Sequence, residues 1–249
     1  MLNLVSVKRL WRYQSKRLAN LLRLLQDPLL RQVMTKGYVV IDNYWDAERC
    51  RIARDAIDEF LQLKSTKIWQ DSLEADKRIM GADNLDDTLD LVSDTKINSL
   101  IERLYNCQTL SKFTMAARLS PVAGNLGSGQ GWHRDSAFVY QFKAILYLSD
   151  VEQDNGPFQY IPFSGNAMSM LLQEAKWGFS VDKNRFSQED IEQARFPKIQ
   201  EFCAKQGTLL LVNTRGIHRG KPIESGQRYA LTNYYWPGTI PEHILPYVN

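Results

Sequence analysis

Histidine is scarce in this sequence: His133, His218 and His243 are the only three in 249 residues. Any site built on imidazole must draw on them. Cysteine is equally sparse, at Cys50, Cys107 and Cys203, with no CxxC spacing. An odd, scattered set excludes a disulfide framework, and a zinc ribbon needs paired cysteines. The expectation is three reduced, mostly buried thiols in a reducing, cytoplasmic setting. No run approaches the roughly 18 consecutive apolar residues of a membrane span. The formal net charge is only +3, which argues against nucleic acid as a partner, since its footprint is a strongly basic patch.

What is present is an ordinary globular balance, 44% hydrophobic and 24% charged, in a chain long enough to bury a core without staples. One domain over residues 1–249 is expected. Its first 110 residues read mainly as helix. Residues 4–25 place Leu4, Val7, Trp11, Leu18, Leu21, Leu22 and Leu25 at helical spacing among Lys8, Arg9, Arg12, Lys16 and Arg17. No unbroken apolar run or small-residue cleavage site marks a signal peptide. Packing of the leucine stripe on the chain's own domain is the expectation; contact with a membrane surface or a partner is the alternative. Within 35–45, YVVI reads as a strand after Gly37. Residues 46–63 read as a helix capped by Asp46, and 96–106 as another. The aspartates of 83–94 lack a calcium-loop pattern and read as a solvated loop.

From residue 111 short alternating runs appear between turn residues: KFTMAARLS, AFVYQFKAILYLSD, GTLLLVN and RYALTNYYW. They predict an antiparallel jelly-roll over 111–240, with a helical insertion near 165–200 marked by a Ser187–Asp190 capping box. The fold class is α+β, with N-terminal helices packed on the β core.

His133 and Asp135 stand two apart in GWHRDSAF, a spacing that points both to one face of a strand. His218 follows the strand GTLLLVN. Two histidines and a carboxylate on one face of a metal leave open positions on non-haem Fe(II). A structural His–Asp hydrogen bond beside an unrelated histidine gives the same spacing. Arg228 opens the strand RYALTNYYW, where a planar guanidinium can hold a carboxylate through two hydrogen bonds.

The runs GQGWHRDSAFVYQFKAILYLSDVEQDNGPFQYIP and GTLLLVNTRGIHRGKPIESGQRYALTNYYW resemble the phytanoyl-CoA dioxygenase family, over roughly residues 111–237. The HxD motif, the turn Asp154–Asn155–Gly156–Pro157, the strand into the second histidine and the arginine all fall in the family's order. The resemblance implies a cupin-like double-stranded β-helix. It implies Fe(II) on His133, Asp135 and His218, 2-oxoglutarate on Arg228, and O2 as second co-substrate. The implied reaction hydroxylates a C–H bond of a small-molecule or carrier-linked substrate as 2-oxoglutarate becomes succinate. The carboxylate ligand favours hydroxylation over halogenation. Pro162–Phe163–Ser164–Gly165 departs from the Pro-Gly-Ser-His common in the family.

Lys143 and Tyr147 share a strand face with Ile145 and are expected to hydrogen-bond 2-oxoglutarate or substrate; core packing and surface snorkelling are the alternatives. Gln130, Ser136, Thr232 and Asn233 are further supporting positions, Trp132 is expected to pack, and His243 reads as a non-ligand. Trp177, Phe179, Arg185 and Arg195 in the insertion are candidate substrate contacts. A non-catalytic metal- or ligand-binding jelly-roll scaffold is the competing reading.

Overall fold

The computed structural model describes residues 3–11, 27–63, 65–107, 111–138, 141–196, 198–240, 242 and 244–248. The fold is two sheets facing each other with helices on the outside. Strands β1 (Tyr38–Ile41), β2 (Ile68–Gln70), β3 (Asp76–Met80), β4 (Ser111–Leu119), β5 (Phe142–Tyr147), β8 (Leu209–Asn213) and β10 (Arg228–Trp236) form a seven-stranded sheet in the order β1-β8-β5-β10-β4-β3-β2. Strands β6 (Phe158–Tyr160), β7 (Gln200–Phe202) and β9 (His218–Gly220) form a smaller sheet, β7-β6-β9. Every pairing is antiparallel. This is the expected jelly-roll.

The central strands are buried on both faces, and strict alternation divides their side chains into two sets. Phe142, Ala144, Leu146, Leu209, Leu211 and Leu231 face outward. They pack under helices α2 (Pro28–Thr35), α3 (Ala47–Phe60) and α4 (Thr95–Tyr105), against Val33, Ile57, Ile101 and Leu104. Ile145, Tyr147, Leu210, Val212 and Ala230 face inward, toward Phe158, Tyr160 and Phe202 of the small sheet. Each fully buried Leu or Phe contributes about 1.5–3 kcal/mol of transfer free energy, so the outward set anchors the helical layer.

The helices begin where the sequence supplies caps. Asp46 accepts from the N–H of Arg49 at 2.8 Å to start α3, and Asp94 accepts from Lys96 and Ile97 to start α4. The 83–94 aspartates do more than solvate a loop. Asp83 accepts from the Thr114 N–H, Asp86 from Thr88, and Asp90 from Val92 and Ser93. The insertion folds as α5 (Ala167–Trp177) and α6 (Gln188–Ala194), the latter with the Ser187–Asp190 capping box.

Three expectations change. The N-terminal part carries, beside its helices and β1, a hairpin the sequence did not suggest: β2–β3 pairs with β4 at the sheet edge, and its strands are too short and too polar to show alternation. Only Cys50 of the three thiols is buried. The basic N-terminal segment is described as helix over residues 4–11 (α1). The expected stripe is not the buried one there: Leu4 and Trp11 are exposed, whereas Leu10 packs with Ala137, Met170, Leu171 and Val181, Val7 lies against that cluster, and Arg9 pairs with Asp182 at 2.7 Å. Residues 12–25 and His243 lie outside the described residues. Among the described residues no helix is long and apolar enough to cross a membrane.

Leu231 is fully buried on the helix-facing side of β10. Leu231→Ala is expected to cost about 2–5 kcal/mol, read as a lower urea midpoint at unchanged m-value.

Candidate metal and co-substrate site

The segment carrying His133 and Asp135 is not a regular strand. Gly127, Gly129 and Gly131 all have positive φ, which breaks any ladder before it starts. The extended geometry survives locally because His133 pairs directly with His218. His133 N–H donates to the His218 carbonyl at 2.9 Å, and His218 N–H returns the bond at 2.8 Å. Asp135 N–H then donates to the Thr214 carbonyl at 3.0 Å. Directly opposed residues of an antiparallel pair project to the same face, so the two imidazoles stand together, ring centroids 4.3 Å apart.

The protonation of both rings follows from their neighbours. Nδ1 of His133 lies 2.9 Å from the Gly131 carbonyl, and Nδ1 of His218 lies 2.9 Å from the Gly216 carbonyl. A carbonyl can only accept, so the proton of each neutral ring sits on Nδ1 and Nε2 keeps a lone pair. Burial lowers the His133 pKa to about 4 and pushes that of His218 well down, so both rings are neutral near pH 7. The two Nε2 atoms face Asp135 Oδ1 at 3.7 and 4.0 Å. All three donor atoms lie within 4.8 Å of one another.

The other carboxylate oxygen is occupied. Lys143 Nζ lies 2.7 Å from Asp135 Oδ2. With the Gln141 amide oriented to satisfy both of its neighbours, its nitrogen donates to Oδ2 at 3.0 Å and its oxygen accepts from the Trp236 indole at 3.2 Å. Burial alone would raise the Asp135 pKa. The Lys143 charge and the two histidines outweigh it and hold the carboxyl well below its usual range. Asp135 thus offers one oxygen, Oδ1, to the centre.

The site residues border one cavity of about 630 Å3. Its floor is the inward face of β10: Arg228, Ala230, Thr232, Tyr234 and Trp236. Arg228 is 5% exposed, and its Nε and Nη1 have no hydrogen-bond partner. Burial lowers its pKa, and no carboxylate pairs with it among the described residues. An orphaned buried guanidinium is costly unless an anion completes it.

The other sequence candidates divide. Lys143 reaches the site through its bond to Asp135 Oδ2. The Tyr147 ring lines the cavity, but its hydroxyl donates to the Phe202 carbonyl at 3.2 Å and accepts from the Phe158 N–H at 2.9 Å. Thr232, Ser136 and Arg185 line the cavity. Asn233 faces the opposite way, donating to the Leu91 carbonyl at 3.3 Å. Gln130 acts through its backbone, and Trp132 is buried against Phe179 and Phe186 as expected of a packing residue. Trp177 and Phe179 join that same cluster, and Arg195 ends α6. The unfamiliar Phe163–Ser164–Gly165 turn braces the second histidine, since Ser164 Oγ accepts from the Ile217 N–H at 2.7 Å.

Arg78, Ser128 and Gln141 also line the cavity, and sequence reading missed them. Arg78 lies on the unforeseen β3, where Asp76 holds its Nε at 3.0 Å. Gln141 was legible, standing two positions before Lys143 on the same alternation.

The residues present fit the groups such a pocket calls for. Three lone pairs converge with no proton between them, an arrangement that a divalent cation stabilises. The donor set of two imidazoles and one carboxylate is that of a non-haem iron centre with open positions. The unpaired Arg228 fits the carboxylate of a dicarboxylic acid.

Comparison with solved structures places the fold. The alpha-ketoglutarate-dependent epimerase SnoN from nogalamycin biosynthesis, solved with Fe3+, alpha-ketoglutarate and nogalamycin RO, is similar at 18% identity. Its TM-score is 0.63 over 83% of this chain and 81% of that one. HygX from Streptomyces hygroscopicus, solved with nickel, 2-oxoglutarate and hygromycin B, is 16% identical, with TM-score 0.59 over 86% and 88%. The carbocyclase SnoK from nogalamycin biosynthesis is 16% identical, with TM-score 0.61 over 88% and 89%. At such identities the likeness is one of fold. No individually curated protein matches the sequence. The profile of the phytanoyl-CoA dioxygenase (PhyH) family matches residues 33–230, spanning both the helical layer and the jelly-roll, and the chain belongs to that family.

Proposed function

We propose that the chain is an Fe(II)- and 2-oxoglutarate-dependent oxygenase that hydroxylates a C–H bond of a small-molecule substrate, free or carrier-linked. The observation that carries this reading is the meeting of three proton-free donor atoms beside a buried, unpaired arginine in one cavity. A scaffold has no physical reason to keep both.

His133 Nε2, His218 Nε2 and Asp135 Oδ1 hold the metal, and Arg228 takes the distal carboxylate of 2-oxoglutarate. Bound there, Fe(II) and 2-oxoglutarate supply, with O2, the oxidising equivalents for C–H cleavage, the co-substrate leaving as succinate and CO2. The protein's part is positioning and exclusion of water. Gly131 and Gly216 carbonyls fix the imidazole tautomers. Lys143 and Gln141 hold Asp135 Oδ2 away from the metal. Ile145, Phe158 and Ala230 give the co-substrate slot an apolar wall that excludes water. SnoN is an epimerase and SnoK a carbocyclase, so this fold carries more than one oxidative outcome. Hydroxylation is proposed over halogenation because Asp135 fills the carboxylate position that a halide would otherwise need.

The first test is anaerobic titration of the apo-protein with Fe(II) and 2-oxoglutarate, following the weak visible charge-transfer band of the chelate. Wild type is expected to show it, His133→Ala to lose it, and Arg228→Gln to need about tenfold to a hundredfold more 2-oxoglutarate. Folded, iron-loaded wild type without the band would overturn the reading.

A second expectation concerns Gly129, where φ is +79° and an added Cβ would stand 2.3 Å from His133 Cε1. Gly129→Ala is expected to weaken Fe(II) binding about 10–100-fold in anaerobic calorimetry. Gly124→Ala, with a similar φ and nothing near its Cβ, carries only the backbone strain and should leave metal affinity unchanged.

A further inference from the structure

The cavity is larger than a five-carbon dicarboxylate fills, and its charge is one-sided. The cations lining it are Arg78, Arg134, Lys143, Arg185 and Arg228; the only acid among the described lining residues is Asp135. Three of these cations have assigned counter-charges. Arg78 is held by Asp76, Lys143 by Asp135, and Arg228 by the co-substrate under the reading above. Arg134 turns its guanidinium away, donating to Gln173 Oε1 at 2.8 Å and lying 5.1 Å from the Phe186 ring centroid.

Arg185 is left. Its segment pairs with the other side of the metal-ligand segment. Arg134 N–H donates to the Asn184 carbonyl at 2.9 Å, and Phe186 N–H to the Trp132 carbonyl at 3.0 Å. Arg185 therefore stands directly opposite His133, as His218 does on the other flank. Opposed residues share a face, so Arg185, His133 and His218 form a row with their side chains on the cavity side. The guanidinium is exposed at the mouth and is steadied by carbonyls: Nη1 donates to Gly129 at 2.5 Å and reaches Gln130 at 3.5 Å. Among the described residues no carboxylate lies within ion-pair distance of it. A tethered, uncompensated arginine beside a reaction centre is a preorganised donor fork for an anion.

We propose that Arg185 is the substrate's anchor, and that the substrate is an acid whose carboxylate or phosphate group binds this guanidinium at the cavity mouth. The fixed charges agree: Asp76 offsets Arg78, while Asp135 and the 2-oxoglutarate dianion together offset Fe(II) and one of Lys143 and Arg228, so the filled site keeps a net positive charge, with the Arg185 guanidinium at its exposed edge. The proposal rests on Arg228, not Arg185, holding 2-oxoglutarate.

The test uses anaerobic protein loaded with Fe(II) and 2-oxoglutarate. Calorimetry compares 4-phenylbutyrate and phenyl phosphate with the neutral 4-phenylbutyramide. The acids are expected to bind wild type about tenfold or more tightly than the amide. Arg185→Gln keeps a donor for the Gly129 carbonyl but removes the charge, and should erase the preference. Arg185→Lys should keep part of it. The 2-oxoglutarate affinity should change less than about twofold in Arg185→Gln while dropping about tenfold or more in Arg228→Gln. Equal binding of acid and amide by wild type overturns the proposal, as does a preference that survives Arg185→Gln. A loss of 2-oxoglutarate affinity in Arg185→Gln as large as in Arg228→Gln also overturns it, by assigning the arginine to the co-substrate. If wild type takes up no 2-oxoglutarate, the oxygenase reading fails instead; the acid–amide comparison, run without it, then decides Arg185.

Discussion

Two backbone hydrogen bonds, exchanged between His133 and His218, set the geometry from which the rest of the site follows. They place the two rings side by side, although 85 positions separate them in sequence. They also fix the frame in which Asp135, two residues on, falls on the same face. The bridge joins a glycine-rich loop, which has no regular structure of its own, to an edge strand of the small sheet. That edge is itself braced: Tyr160 pairs with His218 across β6 and β9, and its hydroxyl donates to the Asn213 carbonyl at 2.8 Å. A side chain at position 216 would force Tyr160 to move, because a Cβ there would meet its hydroxyl at 1.9 Å. The geometry of the three donor groups is thus imposed by backbone pairing and close packing.

Much of this was legible in the sequence, for reasons that can be traced. Strands β5, β8 and β10 carry apolar and aromatic runs, and alternation correctly put Lys143, Ile145 and Tyr147 on one face of β5 and Arg228, Ala230 and Thr232 on one face of β10; strand pairing brings both sets to the cavity side of the sheet. Caps announced α3 and α6 because Asp46, Ser187 and Asp190 act within three residues of their own chain. What failed was non-local. The β2–β3 hairpin exists because β4 offers an edge to pair with, and nothing in its own composition says so. The HxD spacing suggested a strand, yet the segment is extended only because His218 and Thr214 hold it. Tyr147 read as a polar reach toward ligand, but two backbone groups 55 and 11 residues away engage its hydroxyl. Arg185 could be named as a candidate but not ranked, since its place opposite His133 is a property of the bridge and not of its neighbours in sequence.

The site gathers opposite kinds of group at its two ends. One corner brings together three electron-pair donors; the other buries a guanidinium with no protein carboxylate beside it among the described residues. Each arrangement alone destabilises the native state, because burying unpaired charge or unmatched donors forfeits hydration. Under the proposed function the two ends complement a cation and a dianion bound side by side. Ligands that bind only the folded state add to its stability by mass action, so the same groups that weaken the unliganded fold strengthen the loaded one.

The strands tolerate this because their two faces are used differently. On β5, Phe142, Ala144 and Leu146 are wholly buried beneath the helices, while Lys143, Ile145 and Tyr147 border the cavity. On β10, Leu231 and Tyr235 belong to the same outer core, while Arg228, Thr232 and Tyr234 form the floor. A single alternation therefore assigns stability to one face and chemistry to the other. An inward residue can be charged, unpaired or small without disturbing the outer packing that holds its strand in place. A change on the outer face acts on the site only by loosening the sheet as a whole. The N-terminal helices are in this sense part of the active-site architecture without touching it: they supply the apolar burial that lets the opposite face remain unsatisfied until its ligands arrive.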